Sequence, residues 1–440
     1  MLRKNIEQRE GYLKYVIGIL AVISLVLLYV LGVKEFFFYQ DDVISLAMVV
    51  SDWPRVLLSP NAEHLNTLTF MLFRAEWFLF GVRYSGYLAV SIGLFAILLG
   101  VIYKIVLRET RSGWLATVAA GLLVINRNWG EMLWWVTGQA MLLSTLLSVV
   151  SFGWILRLER KRKVEWWERG ILLITLILPS LAWGSGLVWP VAVVLGWGWK
   201  RIRGKVKVGY LEAYLAVIVV FLMYYFIARG SVGINFEVAS WGKSPAQIFV
   251  FVAVLMVENI LARWIWPFKN WAVANSLLLI AGIWLFWSGW IKRIAWRREV
   301  IFCFVVAIVT MFGFALPRWQ FGLGQAMAER YSFLPLIFGV MGVALGFSKV
   351  KWAKREKVGL LGIVIYVTLV GWIGFWKKAE SWSIRPKQTR EWFNKIESTQ
   401  QGECLANEYL PKFIVGVDQK RWRTEFVWPL FKKDFEPFCE

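Results

Sequence analysis

Long apolar runs alternate with short charged clusters along most of the sequence. Several runs approach the length of about 20 residues that a helix needs to cross the hydrocarbon core of a bilayer. The first, residues 15–33, follows Arg3, Lys4 and Arg9 and lacks a small-residue cleavage site, so we expect a retained helix rather than a cleaved signal peptide. The pattern therefore predicts an all-α, polytopic membrane protein.

The runs predict about eleven membrane crossings, with the N-terminus inside and a large first external loop at residues 34–85. Residues 171–199 lie between two basic clusters, so we expect two short helices that turn back at Trp183-Gly184-Ser185-Gly186. Residues 248–266 are apolar, but a full crossing there would place the basic residues 292–298 outside. We therefore interpret them as re-entrant or interfacial. The other expected spans are 86–107, 114–125, 136–156, 210–228, 271–290, 300–316, 331–347 and 359–376.

A polar tail, residues 377–440, follows the last predicted span. It carries several Trp and Phe residues, so we expect a small folded external cap after a membrane domain of residues 1–376. Cys404 and Cys439 both fall in this tail, where the environment can be oxidising, and a disulfide between them is a hypothesis. Cys303 falls inside a predicted span and is expected to be an apolar filler.

The composition agrees with a membrane protein. The chain is 58% hydrophobic and 18% charged, whereas soluble domains average about 45–50% apolar and about 25% charged residues. This composition disfavours a soluble enzyme and excludes a disordered chain.

The charge is strongly basic, with 50 Lys and Arg against 29 Asp and Glu. Nearly half of the basic residues lie in five short loops between apolar runs, at 104–111, 157–169, 200–207, 292–298 and 349–357. This placement follows the positive-inside rule, so the charge indicates orientation and attraction to anionic membrane lipids rather than binding of nucleic acid. We expect a cytoplasmic N-terminus and an external or luminal C-terminus, in a cell membrane or inner membrane.

The first external loop holds the most informative pair of residues, Asp41 and Asp42, directly after four consecutive aromatics. A carboxylate partly desolvated at the membrane surface is suited to act as a general base. Neighbouring residues point in different directions, so we expect one of the pair to face a substrate and the other to anchor the loop or help hold a cation. The alternative is a solvated acidic pair that caps a helix over residues 43–50.

Further polar residues lie close to apolar helices. Glu63 adjoins His64, the one histidine of the chain, in the same loop as Asp41, and this raises the case for a role of His64 in the site. Glu131 and Gln139 lie in and after the next external turn, where polar groups either line a water-filled cavity or tie loops together.

A third candidate group flanks a later external loop: Arg318, Arg330 and Tyr331. Basic residues on the external side run against the positive-inside trend, so Arg330 at a helix start needs a reason. It either pairs with Glu329 or another loop acid, or it binds a phosphate, to which the guanidinium is well matched.

In order, these segments resemble the GT-C glycosyltransferases, and most closely the protein O-mannosyltransferase and tetratricopeptide-associated O-mannosyltransferase branch. The resemblance covers about residues 1–376. It rests on Asp41-Asp42, Glu63-His64 and Phe80-Gly81 before Tyr87, on Asn126, Glu131, Trp135 and Gly138-Gln139, on Leu181 to Gly186 before Pro190, and on Glu329 to Pro335, which is similar to an "ERYxYLP" segment. The chain departs from the pattern at Asn126-Arg127, where a proline is usual, at Gln139, where arginine is frequent, and in lacking tetratricopeptide repeats after the spans.

The resemblance implies transfer of a sugar from a polyprenyl- or dolichyl-phosphate carrier to an acceptor hydroxyl of a glycan or protein, on the external or luminal face. It implies Asp41 as the catalytic base with Asp42 beside it, and Arg330 near the lipid phosphate. Glu63, His64, Glu131, Gln139, Arg318 and Tyr331 are then candidate substrate-binding residues. A divalent cation, Mg²⁺ or Mn²⁺, held at Asp41 stays open, and no other cofactor is indicated.

Two other classes stay open at this point. One is a non-enzymatic membrane protein, a lipid-carrier flippase or transporter, which would tolerate loss of Asp41 and Asp42 without losing a covalent product. The other is a GT-C relative that has lost catalysis and serves as an assembly partner.

Overall fold

The structure, a computed structural model, describes residues 2–38, 41–58, 60–61, 64–126, 129–202, 209–230, 245–262, 277, 280–281, 293–318, 326, 328–350, 354–398 and 430. The described chain is almost entirely helical. Its helices are α1 (Leu2–Glu35), α2 (Asp41–Ser51), α3 (Thr67–Phe80), α4 (Tyr84–Thr110), α5 (Gly113–Val124), α6 (Trp129–Trp134), α7 (Gly138–Glu159), α8 (Trp166–Ala182), α9 (Val188–Ile202), α10 (Tyr210–Gly230), α11 (Pro245–Val254), α12 (Arg298–Arg318), α13 (Phe333–Gly346), α14 (Lys354–Trp382) and α15 (Ile384–Ser398). The all-α prediction is confirmed.

Among the described residues, six helical segments are long and apolar enough to cross a membrane. They are Tyr15–Glu35, Tyr84–Thr110, Gly138–Glu159, Arg298–Leu316, Arg330–Lys349 and Val358–Trp382. Each coincides with an expected span, because a run of apolar side chains hides the backbone hydrogen bonds of a helix from lipid. The total of about eleven crossings stays a prediction. The expected span 271–290 lies largely outside the described residues.

Helix α4 packs against α1, α5 and α7, and α12 packs against α9 and α13. Large aromatic side chains fill the interior, and Trp129, Trp134 and Trp189 are fully buried. The first and last long helices also meet: the Trp372 indole N–H on α14 donates to the Ser24 hydroxyl on α1 over 2.8 Å.

The expected hairpin at residues 171–199 is confirmed. Helix α8 ends at Ala182, a 3-10 turn occupies Gly184–Leu187, and α9 follows at once. A Cβ at Gly186 would lie 2.1 Å from the backbone of Pro179, so the turn closes only with glycine at that position.

The first external loop is folded where it is described. Helix α2 is followed by a 3-10 turn at Arg55–Leu58, a two-residue antiparallel pair of β1 (Pro60–Asn61) with β2 (His64–Leu65), and α3. The Thr69 hydroxyl on α3 donates to the Ala182 carbonyl over 2.7 Å, so the loop is fastened to the hairpin break.

Two further expectations fall partly outside the described chain. Residues 248–266 are described to Ala262, as α11 and a following π-helical turn at Leu255–Ala262 that packs beside the segment 329–332. The boundary expected at residue 376 falls inside α14, and α15 follows it. Cys404 and Cys439 lie outside the described residues, and their disulfide stays a hypothesis.

Candidate functional site

Asp42 lies in the first turn of α2 and is completely buried. Its carboxylate accepts three hydrogen bonds from the turn between α6 and α7: from the Val136 amide over 3.3 Å, the Thr137 amide over 2.7 Å and the Thr137 hydroxyl over 2.8 Å. Charge-assisted bonds to backbone amides are among the stronger hydrogen bonds in proteins. Asp42 therefore joins the first external loop to the second.

Asp41 precedes Asp42 in the same helical turn, but its side chain is exposed. Successive side chains on a helix point about 100° apart, which separates the two environments. The N-terminus of a helix also favours negative charge, so both carboxylates are stabilised as anions there. Asp42 thus anchors the loop, as expected of one member of the pair, and the expectation that the other member, Asp41, faces a substrate stays a prediction.

The turn that receives Asp42 is compact. Gly138 donates to the Trp135 carbonyl over 2.9 Å, and Gln139 donates to the Val136 carbonyl over 2.9 Å. A Cβ at Gly138 would lie 2.3 Å from the Met132 carbonyl oxygen, so a glycine is needed for this close approach. The turn is held rigidly between α6, α7 and Asp42.

Trp135 connects this turn to the third group of candidate residues, Arg318, Arg330 and Tyr331. The Arg330 guanidinium carbon lies 5.5 Å from the Trp135 ring centroid and 5.0 Å from that of Tyr331. The Arg318 guanidinium carbon lies 6.0 Å from the Tyr331 centroid, so two cations share one aromatic ring. Burial lowers the pKa of Arg318, and the positive charge of Arg330 lowers it further. The two guanidiniums have Tyr331 as a common neighbour, and guanidiniums are well matched to bind an anion such as phosphate.

Gln139 lies in a buried network with Glu76. Glu76 is not among the candidate residues predicted from the sequence. The Gln139 side-chain NH2 group lies within hydrogen-bond distance of three acceptors: Glu76 Oε1 at 2.9 Å, the Tyr87 carbonyl at 3.0 Å and the Ser91 hydroxyl at 3.1 Å. Gln139 and Glu76 are both buried. The network ties α3 of the first loop to α4 and α7.

Glu76 is a buried acid on α3, outside the six long apolar segments. Burial raises its pKa to about 8, the hydrogen bond from Gln139 opposes this shift, and the charge of Asp42 adds to it. The folded environment therefore favours the protonated form of the Glu76 carboxyl. The one acid in the largely apolar helix 67–80, whose other charged residue is Arg74, was the signal that could have identified it, because an acid is costly to bury without a partner.

Aromatic side chains of the segment ahead of Asp41 pack against α4. Phe38 makes edge contacts with Tyr84 and Tyr87, at centroid separations of 5.5 Å and 5.0 Å. The Tyr84 hydroxyl donates to the Trp134 carbonyl over 2.5 Å, just before the turn that Asp42 holds. The aromatic run ahead of Asp41 thus packs into the site.

The turn at residues 135–138 links Asp42, Gln139, Arg318, Arg330 and Tyr331, and Asp41 is placed beside them as the residue before Asp42. The remaining candidates are not placed by side chain. Glu63 lies outside the described residues, and only the backbones of His64 and Glu131 are described, in β2 and α6. Their assignment as substrate-binding residues stays a prediction.

A divalent cation does not find a ligand set among the described side chains. Within the described ranges, no three His, Cys, Asp or Glu side chains lie close enough together to hold a metal ion. Asp42 already bonds to Val136 and Thr137, and Asp41 is exposed at the helix start.

No known family profile matches the sequence, and no curated protein matches it. The fold is similar to that in the crystal structure of ArnT from Cupriavidus metallidurans bound to undecaprenyl phosphate, with a TM-score of 0.56 and 12% sequence identity. The alignment covers 90% of this chain and 83% of that one. The likeness shows the fold alone, that of a polytopic helical membrane protein, and it does not extend to the O-mannosyltransferase branch.

Proposed function

We propose that this chain is a membrane glycosyltransferase that transfers a sugar from a polyprenyl- or dolichyl-phosphate carrier to an acceptor hydroxyl. One observation carries the proposal: the buried Asp42 locks the turn at residues 135–138, so that the exposed acid Asp41 and the paired cations Arg318 and Arg330 belong to one corner of the fold. The fold likeness to ArnT, whose crystal structure holds undecaprenyl phosphate, supports a polyprenyl-phosphate donor.

In this proposal Asp41 is the general base. Its carboxylate takes the proton from the acceptor hydroxyl, and the freed oxygen attacks the anomeric carbon of the sugar. The bond from that carbon to the carrier phosphate breaks, and its electron pair goes to the phosphate oxygen. A single displacement of this kind inverts the anomeric centre. The phosphate needs little protonation to leave, so one carboxylate is enough.

Arg330 and Arg318 would bind the carrier phosphate. Guanidiniums already held on aromatic rings lose little conformational freedom on binding, and they stabilise the negative charge that develops on the leaving phosphate. Trp135 contributes a further donor, because its buried indole N–H has no hydrogen-bond partner within the described part of the chain.

The orientation follows from the distribution of charge. The basic clusters at 104–111 and 157–169 lie at the far ends of α4 and α7 from this corner. By the positive-inside rule the N-terminus and these clusters are cytoplasmic, and the site and the C-terminus are external or luminal. Residues 1–376 then form the membrane domain, with 377–440 as an external cap. The sequence motifs favour the O-mannosyltransferase branch, with a glycan or protein acceptor.

The test is transfer of labelled sugar from a panel of polyprenyl-phosphate donors, in membranes that contain the protein. Asp41→Asn should lose at least about 100-fold in rate, as expected on removal of a general base. Asp52→Asn is the matched control, because Asp52 is an exposed acid just past the other end of the same helix.

Equal rates for wild type and Asp41→Asn would contradict the base assignment and favour a transporter or an assembly partner. Arg330→Ala should weaken the apparent affinity for the donor. Arg330→Lys should not restore it fully, because lysine cannot offer the planar fork of donors.

A further inference from the structure

Helix α15, which follows the last span, lies against the end of the first. The Arg390 guanidinium donates to the Val33 carbonyl over 3.4 Å and to the Phe36 carbonyl. These carbonyls belong to the last turn of α1 and the residue just past it, where backbone acceptors lack partners within the helix and the helix dipole favours a cation. Arg390 therefore closes the C-terminal end of α1.

A second polar contact lies one turn earlier on α15. The Lys387 ammonium lies 2.5 Å from the Glu35 carboxylate, at the last residue of α1. Lys387 and Arg390 are spaced three residues apart and face the same way on the helix. Two contacts at this spacing fix both the position and the rotation of α15 on α1.

Aromatic contacts continue the junction toward the site. Phe393 meets Phe37 edge to face with ring centroids 5.3 Å apart, and Arg390 lies 5.6 Å from the Phe37 centroid. Phe37 in turn lies 6.3 Å from Tyr84, whose hydroxyl is bonded to the Trp134 carbonyl. Segment 33–38 therefore contacts α15 on one side and Tyr84, at the candidate site, on the other.

We propose that α15 clamps segment 33–38 and that Arg390 is a positioning residue, which sets where Asp41 begins the first external helix. Asp41 follows the clamped segment by a few residues, so its freedom depends on how firmly Phe36 and Phe37 are held. The positioning role rests on the proposed function. The clamp itself does not.

The simpler reading of α15 is a polar surface helix with incidental contacts. Besides Lys387 and Arg390, the basic residue of α15 with a described side chain is Arg385. Its side chain is exposed, as expected for a polar surface helix. Arg390 does not fit that reading, because it is half-buried and bonds to two backbone carbonyls of another helix. The contrast between these two arginines gives a matched pair for the experiment.

The first arm measures amide hydrogen exchange of residues 41–51 in nanodiscs. Arg390→Ala should speed exchange there by about tenfold, because local opening becomes easier when the clamp bonds are lost. Arg385→Ala should leave it unchanged. Equal exchange in both variants would overturn the clamp, whatever the protein catalyses.

The second arm guards against a variant that fails to fold. Glu35→Lys and Lys387→Glu should each speed exchange of residues 41–51, and the double variant should restore it toward the wild-type rate. Additive loss in the double variant would contradict a direct pair between α1 and α15.

The third arm measures sugar transfer. Arg390→Ala should lower kcat by about 10- to 100-fold with little change in KM for the donor, since a small displacement of a catalytic group is costly while the phosphate site lies on other elements. Arg390→Lys should recover part of kcat. Faster exchange with unchanged kcat would refute the positioning role and keep the clamp. Absence of transfer by wild type would count against the proposed function, and the exchange arms would still decide the clamp.

Discussion

The two ends of α4 hold polar groups in different environments. At its last turn, Arg108 and Arg160 both pair with Glu109, and the side chains of the two arginines are 37% and 52% exposed. At its first turns, α4 meets buried polar groups instead: Gln139 bonds to the Tyr87 carbonyl and Ser91. Ion pairs whose arginines are partly exposed to water thus lie at one end of α4, and enclosed uncharged polar groups lie at the other.

The comparison indicates where polar and charged side chains contribute most to the stability of the fold. Exposed ion pairs contribute about 0–1 kcal/mol, because water competes for both partners. A buried carboxylate such as Asp42 has no water to replace its bonds, so removing it leaves amide donors without acceptors. In the proposed orientation the basic end faces the cytoplasm, whereas the enclosed end fixes the geometry of the candidate site.

Asp42→Ala should produce the largest loss of stability. The Val136 and Thr137 amides and the Thr137 hydroxyl would lose their acceptor, and we expect a loss of about 3–5 kcal/mol. Thermal unfolding in detergent or nanodiscs checks this, with Asp52→Ala as the control. A shift in Tm no larger than that of the control would show that the enclosed end is not locked through Asp42.

Glu76→Gln should change the pH dependence of stability. The pKa of Glu76 is raised from 4.5 to about 8 in the folded protein. The folded state therefore keeps a proton that the unfolded state releases, and wild-type stability falls as the pH rises from 4.5 to 8. Glutamine cannot ionise, so the free energy of unfolding of the variant should rise relative to that of wild type by about 2–4 kcal/mol between these pH values. Tm curves that stay parallel between these pH values would contradict the buried acid.

Gly138→Ala should cost about 1–3 kcal/mol, because the added methyl group would meet the Met132 carbonyl and force the turn apart. Gly100→Ala is the matched control, since a Cβ at Gly100 in α4 meets nothing within 4 Å. In that open helical position alanine should be neutral or stabilising by up to about 1 kcal/mol. Thermal unfolding of the two variants side by side decides it, and equal shifts would argue against the close packing of the turn.

Lys163→Ala should have the smallest effect. Lys163 pairs with Glu165 over 3.4 Å, but the two side chains are 85% and 48% exposed. We expect a change of less than about 0.5 kcal/mol. Thermal unfolding measures it, and a clear drop in Tm would remove the contrast between the two ends.

The helices could be predicted largely from the sequence, because membrane crossing imposes length and apolarity on each span. The hairpin turn at Gly184 and Gly186 was equally predictable, since glycine often occurs where two backbone segments approach each other closely. Helix α15 was not predicted, because its sequence is polar and its contacts with α14 and with the end of α1 do not follow from a local pattern.

The site was predictable in part, for a different reason. Adjacent acids in one helical turn must differ in environment, and this anticipated the contrast of Asp41 with Asp42. The bonds of Asp42 to Val136 and Thr137 join loops that are far apart in sequence, and no local pattern encodes them. Gln139 was identified as polar and near the site, but its burial against Glu76 depends on how three helices pack.

The contact of Arg390 with Phe36 has a consequence for biosynthesis. The two residues are separated by 354 positions, and Trp372 and Ser24 by 348, so the last helices must be synthesised before either contact forms. Domains begin to fold from the N-terminal side while the ribosome is still working. During most of translation the segment ahead of Asp41 therefore lacks its contact with Arg390. This part of the structure is completed only when α14 and α15 pack against α1.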